Sequence, residues 1–178
     1  AGKLMEYLHH HCDNEKISEI FDRFYYESPD FYNDLCRAGI TLNNAVSHHK
    51  YAIHLIFKEN NFSIAKHHLL KAIQLGYNKS YFSLASLYHK CFHEDQSAAS
   101  IAIEGSQKGD NYSKGLLGHF ISRGIGIKKD YRKGIQIMLE SGADDYYQRY
   151  ATEIGLYFII LGDEKKVKSK PFEGNQEE

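Results

Sequence analysis

The stretch Leu117–Gly134, LGHFISRGIGIKKDYRKG, decides the fold, because two earlier stretches echo it. Asn61–Gly76, NFSIAKHHLLKAIQLG, reads as the second half of the same unit, and His93–Gly109, HEDQSAASIAIEGSQKG, reads as another copy. Small residues set the register: Ala65, Ala98 and Gly134 lie 33 and then 36 residues apart, and Ala72, Gly105 and Ser141 repeat both intervals. Gly76 and Gly109 close two of the units, and Asp145 takes the third closing slot. A period in the thirties with helical stripes inside each unit predicts a solenoid of helix pairs. Such an architecture implies binding as the mode of action and does not name a partner.

Outward from that core, Ile17, Ile20, Phe21, Phe24 and Tyr25 keep the spacing of an amphipathic helix. Ser28-Pro29 fits a break and restart, with Gly39 where the second helix would end and Thr41 as the cap of a longer helix reaching about Lys58. Asn60-Asn61 makes a turn. Phe62, Ala65, Leu69, Ala72 and Ile73 form the next buried stripe, and Asn78 opens a helix with Leu84, Leu87 and Tyr88 inward. Ala98, Ala102 and Gly105 mark its partner, and Leu117, Phe120 and Ile121 repeat the Leu84, Leu87, Tyr88 slots. Tyr131, Gly134 and Met138 follow the Gly124-Ile125-Gly126 loop, and Ile154, Gly155, Tyr157 and Phe158 begin a last helix. Ala85, Gly118 and Gly155 on first helices, with Ala98 and Gly134 on second helices, predict close backbone crossings where a larger side chain would cost about 1–3 kcal/mol. The expected fold is all-α: one right-handed α/α superhelix of about nine to ten helices in antiparallel pairs. Residues 1–50 read as degenerate or capping helices, 51–162 as repeats, and 163–178 as a charged, partly mobile tail.

The order of residues in Leu117–Gly134 resembles the Sel-one-like repeat, a relative of the tetratricopeptide repeat. That family shows Leu-Gly, an aromatic, two glycines around a short loop, Asp-Tyr and then a small residue. Here these are Leu117-Gly118, Phe120, Gly124, Gly126, Asp130-Tyr131 and Gly134. The resemblance spans roughly Tyr51–Gly162 and implies an α/α superhelix whose first helices line a concave face. It also implies adaptor or scaffold roles or, in some bacteria, secreted proteins that engage host factors. In such a solenoid, the positions two before and two, five and six after the repeat's Leu point into the groove. For Leu84 these are Phe82, Ser86, His89 and Lys90; for Leu117 they are Gly115, His119, Ser122 and Arg123. With Ala52 in the Leu slot they are Lys50, His54, Phe57 and Lys58. The candidate partner-binding set is therefore His54, Lys58, Phe82, Ser86, His89, Lys90, His119, Ser122 and Arg123. Its cations point to an acidic protein segment as ligand.

At 178 residues with a formal charge of −1, the chain lacks the strongly basic character of a nucleic-acid binder. Three cysteines with no CxxC pair fit a reducing compartment, the cytoplasm, better than a disulfide scaffold. The paired cysteines of the family's extracellular branch are absent. The longest apolar run, Leu156–Leu161, is too short to span a bilayer, and no signal peptide is expected.

Other chemistry is weighed and set aside. His9-His10-His11 with Cys12, and His89, Cys91 and His93, carry residue types that bind metals, but neither spacing aims a ligand set at one ion. No GxSxG elbow or nucleotide-binding glycine fingerprint is present, and Asp144-Asp145 suit a helix start. The adjacent pairs His48-His49 and His67-His68 predict one packed and one solvated ring each. No enzyme activity, cofactor or metal is expected. The expected function is protein binding as adaptor, scaffold or inhibitor; the competing class is a bacterial effector delivered into a host cell, for which the glutamate-bearing tail is the motif.

Overall fold

The computed structural model describes residues 1–142, and every regular element among them is helical. The helices are α1 Gly2–His11, α2 Asn14–Glu27, α3 Pro29–Thr41, α4 Ala45–His54, α5 Phe62–Gln74, α6 Lys79–Leu87, α7 Asp95–Gln107, α8 Asn111–Arg123 and α9 Tyr131–Ser141. Two π-helical turns, Leu55–Glu59 and Tyr88–Phe92, extend α4 and α6 without a break. The expected helix at Ile154 and the tail lie outside the described residues, as does Asp145.

The elements keep the spacing of the sequence pattern and carry it further. α3, α5 and α7 begin and end 33 residues apart, as do the two π turns. Each π turn stops at a left-handed residue, Asn60 (φ 54°) or His93 (φ 57°). Asn43, Gly76, Gly109 and Gly142 are likewise left-handed (φ 51°, 87°, 81° and 61°) and lie at equal steps along the chain. Asn43 closes α3 in the slot that glycine fills later, because the short Asn side chain tolerates this conformation. Gly142, not Asp145, closes α9. Residue 50, the expected end of the N-terminal helices, lies within α4.

Thr41 caps nothing; its hydroxyl donates to Ala38 O (2.7 Å) at the end of α3. α4 starts four residues later, capped by Asn44, whose Oδ1 accepts from Ser47 N (3.0 Å). Nor does Gly39 end a helix. It lies inside α3, where a Cβ would overlap the Ser47 side chain and come within 3.3 Å of Met5 Sδ. Gly105 meets Ser113 in the equivalent place, with a hypothetical Cβ 2.7 Å from Ser113 Cβ. Ser47, Ser80 and Ser113 recur at intervals of 33, all with no exposed surface.

The predicted glycine crossing is present. A Cβ on Gly118 would sit 2.6 Å from Gly134 O, and one on Gly134 would sit 2.5 Å from Gly118 O, so α8 and α9 touch backbone to backbone. Ala85 and Ala98 fill the same slots one unit earlier and are fully buried.

The apolar interior is built in successive local clusters. Met5, Leu8, Ile17, Phe21, Tyr32, Leu35, Cys36 and Val46 join α1–α4. Ala52, Leu55, Ala65, Leu69, Leu84 and Leu87 join α4–α6, and Ala85, Ala98, Ala102, Leu116 and Phe120 join α6–α8. Even-numbered helices also touch one another. Lys50 on α4 pairs with Asp22 on α2, His49 on α4 reaches Ser80 on α6 (2.9 Å), and Phe82 on α6 stacks near Tyr112 on α8 (centroids 5.9 Å).

Candidate interaction surface

Matching π turns and left-handed residues fix which positions correspond. The small slot holds Ala52, Ala85 and Gly118, all buried. The repeat's Leu slot is therefore Tyr51, Leu84 and Leu117, and the expected assignment of Ala52 to it is one residue out of register. The same one-residue shift replaces Lys58 by Phe57 in the outermost slot, which becomes Phe57, Lys90 and Arg123. All three are exposed, Phe57 at 72%.

The shift also explains His54. It occupies the slot of Leu87 and Phe120, both core residues, so its side chain is only 16% exposed. Its Nε2 lies 3.3 Å from Glu59 Oε1, and its ring stacks near Tyr51 and against Tyr32 (centroids 6.5 and 6.3 Å). His54 thus seals the junction with α3 and does not face a groove. Lys58 is exposed but sits in the slot of Cys91, off the row.

Ser122 is also corrected. It has no exposed surface, its Oγ donates to His119 O (2.8 Å), and a Cβ on Gly134 would sit 2.6 Å from its own Cβ. The α8–α9 crossing consumes it, so no partner can touch it. Phe82 and Ser86 are half-buried, the former in the ring contact that couples α6 to α8. His119 is half-buried with its ring tilted on Phe120 (6.2 Å). His89 lies between elements: Nδ1 is 2.6 Å from Asp95 Oδ1 at the start of α7, and its ring meets Phe120 edge-on at 5.4 Å. Of the nine expected residues, Lys58, Lys90 and Arg123 are exposed, and only the last two share a slot.

The sequence pattern placed Phe57 among the groove-facing positions, in the slot five after Ala52, and the candidate set left it out. Counting back 33 from Lys90 would have found it.

A second cluster lies on the α4–α5 seam. His48 Nδ1 and His68 Nδ1 are 2.8 Å apart, so one ring must donate to the other. Burial and the neighbouring His68, Lys71 and His67 push the His48 pKa down to about 4. Burial pushes His49 down to about 3, with Lys50 and Lys79 adding to the effect. His67 is exposed and His68 half-buried, as adjacency predicts. His48 and His49 instead both turn inward, since α4 is flanked by α5 on one side and α6 on the other.

Among the described residues, no three His, Cys, Asp or Glu side chains converge on a position that could hold a metal ion, and no helix is long and apolar enough to cross a membrane. An open hollow of about 380 Å³ lies at the starts of α2, α6 and α8. Its polar groups already serve the helix ends: Asp110 accepts from Ser113 N (2.9 Å) and Asn78 donates to Lys108 O (3.1 Å). No protein-family model, curated protein or solved structure matches the chain.

Proposed function

We propose that this chain is a non-enzymatic protein-interaction module, an adaptor, scaffold or inhibitor, and that its helix pairs wind as a right-handed superhelix of Sel-one-like type. One observation carries the reading. Corresponding positions of three successive first helices, Phe57, Lys90 and Arg123, are all exposed, while His54, His89 and Ser122 are spent on packing. A repeated scaffold that keeps the same slot at the surface in each unit offers a line of anchors to one long partner segment. Phe57 supplies apolar area, Lys90 a point charge, and Arg123 a planar fork suited to a carboxylate. The partner is a protein segment with acidic character.

Affinity capture from lysate, read by mass spectrometry, tests this. Bait carrying Phe57→Ala, Lys90→Glu and Arg123→Glu should lose partners that the wild-type chain retains, with unchanged helicity by circular dichroism. Retention of the same partners by the triple variant would place the binding face elsewhere.

A further inference from the structure

We propose that the α8–α9 loop and the first turn of α9 form a second docking surface, which takes a protein segment bearing a run of consecutive carboxylates. This surface stands apart from the Phe57–Lys90–Arg123 row and does not rest on the reading of that row. Residues 128–133, KKDYRK, hold four cations, Lys128, Lys129, Arg132 and Lys133, and all four are exposed. Among the described residues, none of their side chains makes an ion pair or hydrogen bond. The acids around them are engaged. Asp130 Oδ1 accepts from the backbone N of Lys133 (3.0 Å), Asp95 faces His89 (2.6 Å), and Glu94 accepts from Ser97 Oγ (3.1 Å).

The loop is held in shape from both ends and from below. Gly124 N and Ile125 N both donate to Phe120 O (2.8 and 2.9 Å), and Asp130 N donates to Ile121 O (2.9 Å). Ile125 and Ile127 pack on the cluster of Ala98, Ala102 and Phe120. Gly126 lies on the start of α7, where a Cβ would overlap Asp95 O and come within 2.8 Å of Gln96 N. The corresponding junctions, Asn60-Asn61 and His93-Glu94, are short and carry neither lysine nor arginine, whereas this one runs from Gly124 to Asp130. The longer loop therefore fixes cations at a place where the two earlier junctions have none, and little of its backbone freedom remains to be lost on binding.

Charge selects the ligand. The first turn of α9 has no acid, so the four cations crowd the positive end of its dipole and repel both it and one another. A polyanion lying across them relieves that repulsion. A protein segment fits better than other polyanions. Ile125, Ile127 and Tyr131 are half-buried, so the loop offers a membrane no exposed apolar side chain to insert, and single-stranded nucleic acid no exposed ring to stack on.

The probe is a fluorescein-labelled hexaglutamate peptide, read by anisotropy. Lys128→Ser/Lys129→Ser/Arg132→Ser/Lys133→Ser should bind it at least about tenfold more weakly than the wild type, with unchanged helicity, and salt should weaken wild-type binding steeply. The pairs Lys128→Ser/Lys129→Ser and Arg132→Ser/Lys133→Ser should each lose part of the affinity. A relocated variant restores the net charge by adding Ser63→Lys, Gln74→Lys, Ser100→Lys and Gln107→Lys, all at exposed positions, and should stay weak. Recovery of binding in it would show that net charge alone acts, and overturns the proposal. So does equal binding by the wild type and the quadruple variant, or no binding of hexaglutamate at millimolar concentration. Tighter binding of phosphatidylserine vesicles or of an oligodeoxythymidine than of the peptide overturns it as well. Loss of the peptide in Phe57→Ala/Lys90→Glu but not in the quadruple variant assigns the peptide to the row, which leaves that reading standing and sinks this one.

Discussion

Single residues carry the pH behaviour. His48 is 5% exposed, and its Nε2 is buried without a hydrogen-bond partner. It is therefore best placed as a donor from Nδ1 to His68, leaving a bare lone pair inside. A second proton would put an N–H and a charge where nothing accepts them. The folded pKa is lowered from 6.5 to about 4, so the unfolded chain binds more protons in between. Stability is full above pH 6.5 and declines as the pH falls toward 4. Lowering the His48 pKa from 6.5 to about 4 corresponds to about 3 kcal/mol at 1.36 kcal/mol per pH unit, of which about 2 kcal/mol is lost by pH 5. Urea melts at pH 7.5 and pH 5 should show this loss in the wild type and a smaller one in His48→Leu/His68→Leu; identical losses would remove the pair as the cause.

Cys36 gives a second check at this scale. Its thiol has no exposed surface and is pushed up to about 12 by burial, an effect only partly offset by Tyr32 and Lys50. Native protein should resist thiol titration at Cys36 and yield it in denaturant. Asn43 holds φ 51°. Asn43→Gly should hold or raise stability, and Asn43→Val should lose about 1–2 kcal/mol from the left-handed backbone alone.

At the scale of elements, the α8–α9 crossing depends on two missing side chains. The atoms that a Cβ on Gly118 or Gly134 would strike are largely backbone, Gly134 O and Met138 N for one, Gly118 O and Ser122 N for the other. Neither helix can yield without shifting as a body. Gly134→Val should therefore lower stability by at least about 1–3 kcal/mol. Gly2→Ala, where nothing lies within 4 Å, should change it by less than about 0.5 kcal/mol. Thermal melts of the two variants compare them directly, and equal melting temperatures would mean the crossing relaxes more easily than its geometry implies.

For the whole molecule, the interior is a chain of local clusters, each shared by neighbouring helices. Stability then spreads as nearest-neighbour couplings. Hydrogen exchange of Gly134→Val should rise most in α8 and α9 and least around Met5, Phe21 and Leu35. A uniform rise across 1–142 would show that all the described helices unfold as one unit.

What the amino-acid sequence determined by itself was the period and the type of element. Ala65, Ala98 and Gly134 mark close crossings because a small side chain there has a single physical reading, and helical stripes between them leave no room for strands. What only the tertiary structure decided was the phase of the first unit and the fate of each polar side chain. A π turn has no composition of its own, so nothing in LIFKE or YHKCF declares one, yet the matched turns fix Phe57 against Lys90. Ser122 and His54 look solvated by residue type. They are withdrawn because another helix lies over them, and the sequence interval to that helix says nothing about which neighbouring slot it covers.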